Sequence, residues 1–347
     1  MSKASDVITT MSSYVTLEYN GVSNPAAITE HLEDFTYTDF ASGSADTISV
    51  TLFNKNGVWL RKDFFPGKND WLKATITTEH WPIKPANGKI KCGKFQIDHV
   101  QYSGYGERAT IEGIAVPQKA AFSFTQRNKT WKKMQFQAII DVIAKKAGLG
   151  VTYGKGTSNP TIEEISQSGT TDLEFIFSLC SQYDMALKVY NSKLVIYDQT
   201  TYEKKAPVFT INRKELQGSY TIDADINSKF DSVKMQYTNG KDSKTLTYSF
   251  KRPGTNGSRT LFISSEADSQ ADAEKKAKAQ LRQSLRESTK ISISEMMGGS
   301  RYVAGSVFKL EGFGKLNGNY FIDQVTHTKG ASKYTCSMEA HKVVTDF

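Results

Sequence analysis

Gly93-Lys94-Phe95-Gln96-Ile97-Asp98-His99-Val100 returns late in the chain as Gly318-Asn319-Tyr320-Phe321-Ile322-Asp323-Gln324-Val325. Both stretches read Gly-x-aromatic-x-Ile-Asp-x-Val, at an offset of 225 residues. Aromatic and Ile stand two apart in each, the period of a strand with one apolar face. Without a gap, Ala109, Ile111, Gly113 and Ala115 then align with Tyr334, Cys336, Met338 and Ala340, each set alternating along a following strand. Self-similarity inside a chain signals copies of one structural unit. The first and last parts are therefore expected to be similar β-barrels, with Ile97 on Ile322, Asp98 on Asp323, and Phe95 equivalent to Tyr320. Three chains with two such barrels each would present six similar units around a ring, a closed cyclic assembly.

The surroundings of the first copy fit this reading. Tyr14, Val15 and Leu17, then Thr47–Phe53 and Trp71–Ile76, are β-branched or aromatic runs separated by Gly, Asn and Pro, which predicts short antiparallel strands. Residues 1–118 are taken as the first β-barrel domain. The texture changes at Trp131, where Met134, Ile139, Ile140, Ile143 and Ala147 recur at helical spacing before a stop at Gly148. A second helix is expected to begin at Thr171-Asp172, either residue capping it, with Leu173, Ile176, Phe177 and Cys180 on its apolar face. Ala186–Tyr190 and Lys193–Tyr197 flank a turn at Asn191-Ser192, completing a small α/β middle domain over 119–206. Strands resume near Val208, and Asn239-Gly240 between 231–238 and 243–250 predicts a tight hairpin. A helix over about 269–287 carries Ala273, Ala277, Gln280, Leu281 and Leu285, with a basic face read as solvated. Residues 207–347 are thus a second β-barrel domain with an inserted helix. The expected fold class is mainly β with α+β insertions.

Composition excludes several classes of function. A chain of 347 residues is long enough for two or three domains, and 38% hydrophobic residues argue against wholesale disorder. Its 44 basic and 36 acidic residues are interspersed, so the net charge of +8 reads as a mixed surface rather than a polyanion site. No run approaches the roughly 18 apolar residues of a membrane span, and Met1–Thr10 lacks the pattern of a secretory signal. Cys92, Cys180 and Cys336 are odd in number and far apart, as expected of reduced thiols in a chain made in a cytoplasm.

The search for chemistry yields no catalytic, cofactor-binding or metal residue. His31, His80, His99, His327 and His341 belong to no H-E-x-x-H motif, and no C-x-x-C occurs, so each histidine is read as structural. Asp223-Ala224-Asp225-Ile226-Asn227 opens like a calcium loop but has Ser228 at the sharp turn and Lys234 at the bidentate position. Gly148–Gly156 contains Lys155 without P-loop spacing, and Gly312-Phe313-Gly314 lacks a βαβ setting. No G-x-S-x-G occurs, and Glu163-Glu164 reads as a pair of surface loop acids.

The run Asp34-Phe35-Thr36-Tyr37-Thr38-Asp39-Phe40-Ala41-Ser42-Gly43-Ser44-Ala45-Asp46 resembles the opening of the phage late control protein D family, as do Leu52, Trp59-Leu60-Arg61 and Pro66-Gly67-Lys68 after it. Cys92–Asp98 resembles the family's Gly-x-Phe-x-Ile-Asp element. Gln167 with Thr171–Ile176, and Lys193–Tyr197, resemble its middle-domain signature; Leu316–Tyr320 and Val325-Thr326-His327 resemble its closing barrel. The resemblance runs from about residue 30 to the end. It implies tail-tube-like barrels and a structural hub of a contractile phage tail or tail-like particle, related to the hub half of VgrG spikes. It further implies a homotrimeric adaptor between the six-fold tail tube protein and the three-fold central spike protein, beside other baseplate proteins and the tape measure protein. No enzyme activity, cofactor or membrane insertion is implied, and the expected location is the virion tail baseplate, assembled in the host cytoplasm. With the chain ending at Phe347, the spike and any wall-cutting enzyme are expected to be separate chains.

Two other readings compete with the adaptor. A cell-wall hydrolase of the tail tip would need a cleft with perturbed acids, and a zymogram would detect it. A single-strand nucleic-acid binder, suggested by small barrels, aromatics and basic balance, would lose retention steeply with salt.

Overall fold

The structure, a computed structural model, describes residues 10–23, 28, 30–61, 65–67, 69–115, 120–216, 218–225, 229–238, 245–345 and 347. The chain opens with β1 (Ser12–Tyr19), β2 (Val22–Ser23), β3 (Leu32–Phe40), β4 (Thr47–Phe53), β5 (Trp71–Glu79), β6 (Gly88–Ser103) and β7 (Arg108–Ile114). A mixed region follows: α1 (Ala120–Ser123), β8 (Arg127–Gln135), α2 (Phe136–Ala147), β9 (Gly150–Tyr153), β10 (Thr161–Thr170), α3 (Asp172–Gln182), β11 (Met185–Tyr190), β12 (Lys193–Asp198) and α4 (Gln199–Glu203). Then come β13 (Phe209–Asn212), β14 (Tyr220–Ala224), β15 (Ser232–Thr238), β16 (Thr245–Lys251), β17 (Thr260–Ser264) and α5 (Gln270–Glu287). The last strands are β18 (Thr289–Met297), β19 (Val307–Glu311), β20 (Gly318–Gly330) and β21 (Tyr334–Lys342). The fold is mainly β with few helices, as expected.

The two copies of the repeat sit in matching strand environments. The antiparallel order β3-β4-β7-β6-β5 recurs as β14-β18-β21-β20-β19. Leu72 faces Phe95 as Phe308 faces Tyr320, and both aromatics are fully buried. Each copy carries a β-bulge at the Asp of its motif: the register shifts between Ile97 and His99, and again between Ile322 and Gln324. A bulge bends its strand and tightens the local twist, so Asp98 and Asp323 mark the same corner of the two units.

The ungapped alignment fails at the strand that follows. Ile97 faces Gly113 but Ile322 faces Ala340, so Gly113 corresponds to Ala340 rather than Met338. The cause is the hairpin: Ser103 pairs with Arg108, whereas Thr328 pairs with Thr335, which makes the second hairpin two residues longer. A two-residue shift returns every side chain to the same face, so the alternation passed through it unbroken.

The two units are joined edge to edge. The second half of β20, Gln324–Gly330, pairs antiparallel with Asp34–Phe40 of β3. Among the described residues, thirteen strands thereby share one sheet, and one apolar cluster runs across both units from Phe35 and Ile97 to Ile322 and Met338.

The middle region has its own core. α2 and α3 bury Phe136, Ile139, Ile140, Ile143, Ile176 and Leu179 against Leu187, Val189, Leu194 and Ile196 of the β11–β12 hairpin. α2 ends where Gly148 takes the left-handed conformation, φ 68°, a backbone state that glycine adopts without a side-chain clash. Thr171 caps α3 in a reciprocal box with Glu174, satisfying two amides that the first helical turn leaves open. Two expectations need correction here. Trp131 and Met134 lie on β8, not in the helix, and Glu163-Glu164 lies on β10, where Glu164 pairs with Lys132 at 3.1 Å. β8 alternates charged residues around a single buried Trp131, too weak an apolar period to read as a strand.

α5 begins at its cap Ser269 and lays Ala273, Ala277, Leu281 and Leu285 on the sheet β16-β15-β17. Asn239-Gly240 lies outside the described residues; the strands either side of it pair antiparallel, Thr238 facing Thr245. Asp223-Ala224, considered above as the start of a calcium loop, ends strand β14. Cys92, Cys180 and Cys336 are free and buried.

Candidate functional site

The joint between β3 and β20 is built like a core. Phe35, Tyr37, Val325 and His327 point into it, each 2% exposed or less. On the opposite face the hydroxyls of Thr38 and Thr326 stand 3.5 Å apart. His327 stacks on Tyr37, with Nδ1 2.8 Å from the Tyr334 hydroxyl and Nε2 3.1 Å from the Tyr302 carbonyl. Burial lowers the His327 pKa to about 4, so the ring is neutral at pH 7. Its neighbour Cys336, with Sγ 3.0 Å from Nδ1, is pushed by burial up to about 12. A dry, protonated thiol of this kind is a packing group rather than a nucleophile.

A first polar node fastens the middle region to the end of β3. Lys188 on β11 donates to Asp39 at 2.5 Å, to Asp46 at 2.9 Å and to the Phe40 carbonyl at 2.7 Å. Burial, with Asp39 nearby, pushes Asp46 up to about 6 even against Lys188, because one ammonium serves two carboxylates. The Lys188 pKa is raised: burial opposes its charge, but the two carboxylates outweigh that. The amide of Leu187 donates to Ser42 Oγ at 3.0 Å, and the Tyr197 hydroxyl donates to the Ala41 carbonyl at 2.7 Å.

A second node ties α5 and α4 to the closing strands. Arg286 donates to Asp184 at 2.5 Å and to Glu203 at 2.6 Å, and Arg282 also reaches Asp184, at 3.2 Å. The basic face of α5, read as solvated, is thus in part a buried anchor. His341 lies between Asp323, 2.8 Å from Nδ1, and Glu203, 3.3 Å from Nε2. Burial alone would lower its pKa; the two carboxylates overturn this and raise it to about 9, so the ring is a cation at pH 7. This node borders a cleft of about 540 Å³ that Asp184, Arg286, Lys290, Asp323 and His341 help to line. Both ring nitrogens of His341 are engaged by carboxylates, which suits a buried cross-link better than a general base.

The five histidines do not converge. His327 and His341 are buried at separate points, His31 lies edge-on to Trp59, and His80 and His99 are exposed. His99 aligns with Gln324, and Tyr102 with His327, in the two copies. Among the described residues no group of three or more His, Cys, Asp or Glu has the arrangement of a metal site, and no helix is long and apolar enough to cross a membrane. Lys188, Asp184, Glu203 and Arg286 were not singled out from the sequence. Their partners lie up to 149 residues away, and no local pattern marks them.

This architecture recurs in known proteins. A tail protein from Neisseria meningitidis is 14% identical and superposes with a TM-score of 0.68, covering 95% of this chain and 96% of its own. A prophage tail protein from Shewanella oneidensis gives 12%, 0.68, 95% and 98% for the same quantities. A component of the E. coli type VI secretion system, described as structurally similar to phage tail proteins, gives 13%, 0.59, 94% and 77%. These likenesses establish the fold. No curated protein matches by sequence. The family model described as phage tail baseplate hub (GPD) matches residues 96–332, more than half of the chain. The chain belongs to the phage tail baseplate hub (GPD) family, and its role is that of a tail hub.

Proposed function

We propose that three copies of this chain form a ring in the baseplate, joining the six-fold tail tube to the three-fold central spike. The observation that carries this reading is the pair of matching five-stranded units fused edge to edge through β3 and β20. A six-fold partner needs six similar surfaces, and a three-fold partner needs three identical chains; two units per chain satisfy both. On this reading residues 1–118 and 207–347 are tail-tube-like barrels, and 119–206 is a spacer domain held by the Lys188 and Arg286 nodes. The direct partners are a second copy of the chain, the tube protein, the spike and neighbouring baseplate proteins, with the tape measure protein ending nearby. Assembly takes place in the bacterial cytoplasm, which suits three free thiols. The role is mechanical, without catalysis. Counting chains per particle by quantitative mass analysis tests it: three copies are expected, and six would overturn it. Release of cell-wall fragments by the purified chain would overturn the purely mechanical role alone.

A further inference from the structure

Along β8, Arg127, Lys129 and Trp131 stand two apart and share one face of the strand. With Ile143 and Lys146 of α2 and Asp172 of α3 they line a notch of about 300 Å³ in the middle region. Its charge is unbalanced. Among the described residues Asp172 is the only carboxylate in the lining; Arg127 Nε stands 3.2 Å from it, and the Gln167 amide donates to it at 3.1 Å. Neither Lys129 nor Lys146 is in an ion pair among the described residues. Elsewhere the chain supplies acids generously: Lys188 faces two carboxylates, and so does Arg286. Here three cations share one.

Trp131 gives a second, independent sign. It is 4% exposed and its ring runs parallel to that of Phe175, yet its Nε1 donates to nothing. A buried donor is normally paired. The Lys129 ammonium stands 3.3 Å from the centre of the same ring, so a π face serves this cation in place of an acid. Burial, with Lys146 nearby, lowers the Lys129 pKa, as happens when a cation is held without a counter-charge.

We infer that the notch takes a carboxylate from an acidic segment of a different protein of the tail particle, with Lys129 and Lys146 as its counter-charges. Charge favours a different protein over a second copy. This chain carries a net charge of +8, so a second copy brings more of the same excess, whereas an acidic neighbour brings what the notch lacks. A nucleic-acid strand suits the notch less well. Its phosphates recur and are bound along a cationic track, but on the opposite face of β8 Lys132 is already paired with Glu164 at 3.1 Å. The inference does not depend on how many chains make the hub.

Assembled tail particles treated with a carbodiimide test it, because the reagent joins an amine to a touching carboxylate as an amide, with loss of water. Mass analysis of the peptides is expected to show Lys129 or Lys146 joined to an Asp or Glu of another particle protein. The in-chain pair Lys132–Glu164 reports that the reagent has reacted. With that link present, Lys129 and Lys146 joined only within this chain, to a second copy, or to nothing overturns the proposal. A second measurement needs no reagent. When wild type and the Lys129→Glu/Lys146→Glu variant are co-expressed, the variant should enter particles about tenfold less often while its thermal unfolding matches wild type. Equal entry overturns the proposal. If the double variant does not fold, Lys146→Glu alone, at an exposed position, takes its place. Should the purified chain retain single-stranded DNA, and Lys129→Gln/Lys146→Gln weaken that retention about tenfold, the notch serves a polyanion and the proposal falls.

Discussion

At the residue scale the chain is held by charges that sit far apart in sequence. Lys188 faces two buried carboxylates, so Lys188→Met should leave Asp39 and Asp46 uncompensated in a dry site. A cost of about 3–5 kcal/mol is expected, read from urea unfolding; a loss under about 1 kcal/mol would mean that water reaches the node. His341 and His327 set opposite pH limbs. The His341 pKa is raised to about 9, so the stability it adds is complete below 6.5 and fades as pH rises through 9. The His327 pKa is lowered to about 4, so its contribution is present above 6.5 and fades as pH falls towards 4. Unfolding free energy measured against pH should therefore fall on both sides of about 6.5. His341→Gln should flatten the alkaline side only, and an unchanged alkaline slope would remove this assignment. None of these roles was legible in the sequence. Histidine, lysine and aspartate at such spacings have no local signature, and their meaning comes from which strand ends the fold brings together.

At the element scale the sequence was more readable, for reasons that differ by element. α3 was placed by Thr171-Asp172 at its start and by the apolar face that follows; the structure assigns the cap to Thr171, in a box with Glu174 whose chemistry is complete within four residues. Thr171→Ala should cost about 1 kcal/mol, measured by chemical denaturation, with Thr171→Ser close to neutral. If the alanine variant matches wild type, the cap is redundant with tertiary packing. α2 and α5 were placed by their apolar residues, and the structure adds the cap of α5 at Ser269. β8 and β10 were missed because their exposed faces carry alternating charge and their partners are each other, so little apolar surface records them. β14 was missed for a related cause: five residues at an open edge, with Tyr220 left exposed, carry a weak signal that an acidic pattern overlays.

At the scale of the whole molecule, the repeat was legible as a motif, and its correct register was not. Gly-x-aromatic-x-Ile-Asp-x-Val survives in both copies because a buried aromatic and a bulge at Asp define the corner of each unit. The hairpin after it is free to vary in length by pairs of residues without turning a side chain to the wrong face. That freedom has a mechanical consequence. If three chains form the ring proposed above, short and long hairpins would alternate in it like the marks on a dial numbered at every second hour. A six-fold tube resting on the sheets would then meet six near-equal seats, while a three-fold object would meet three long teeth and could tell its own positions from the three between. Removing Ala331 and Ser332 would make the two hairpins equal in length. If the longer tips index the spike, image reconstruction of such particles should show it in two angular settings instead of one, and a single setting would assign the indexing to another part of the chain.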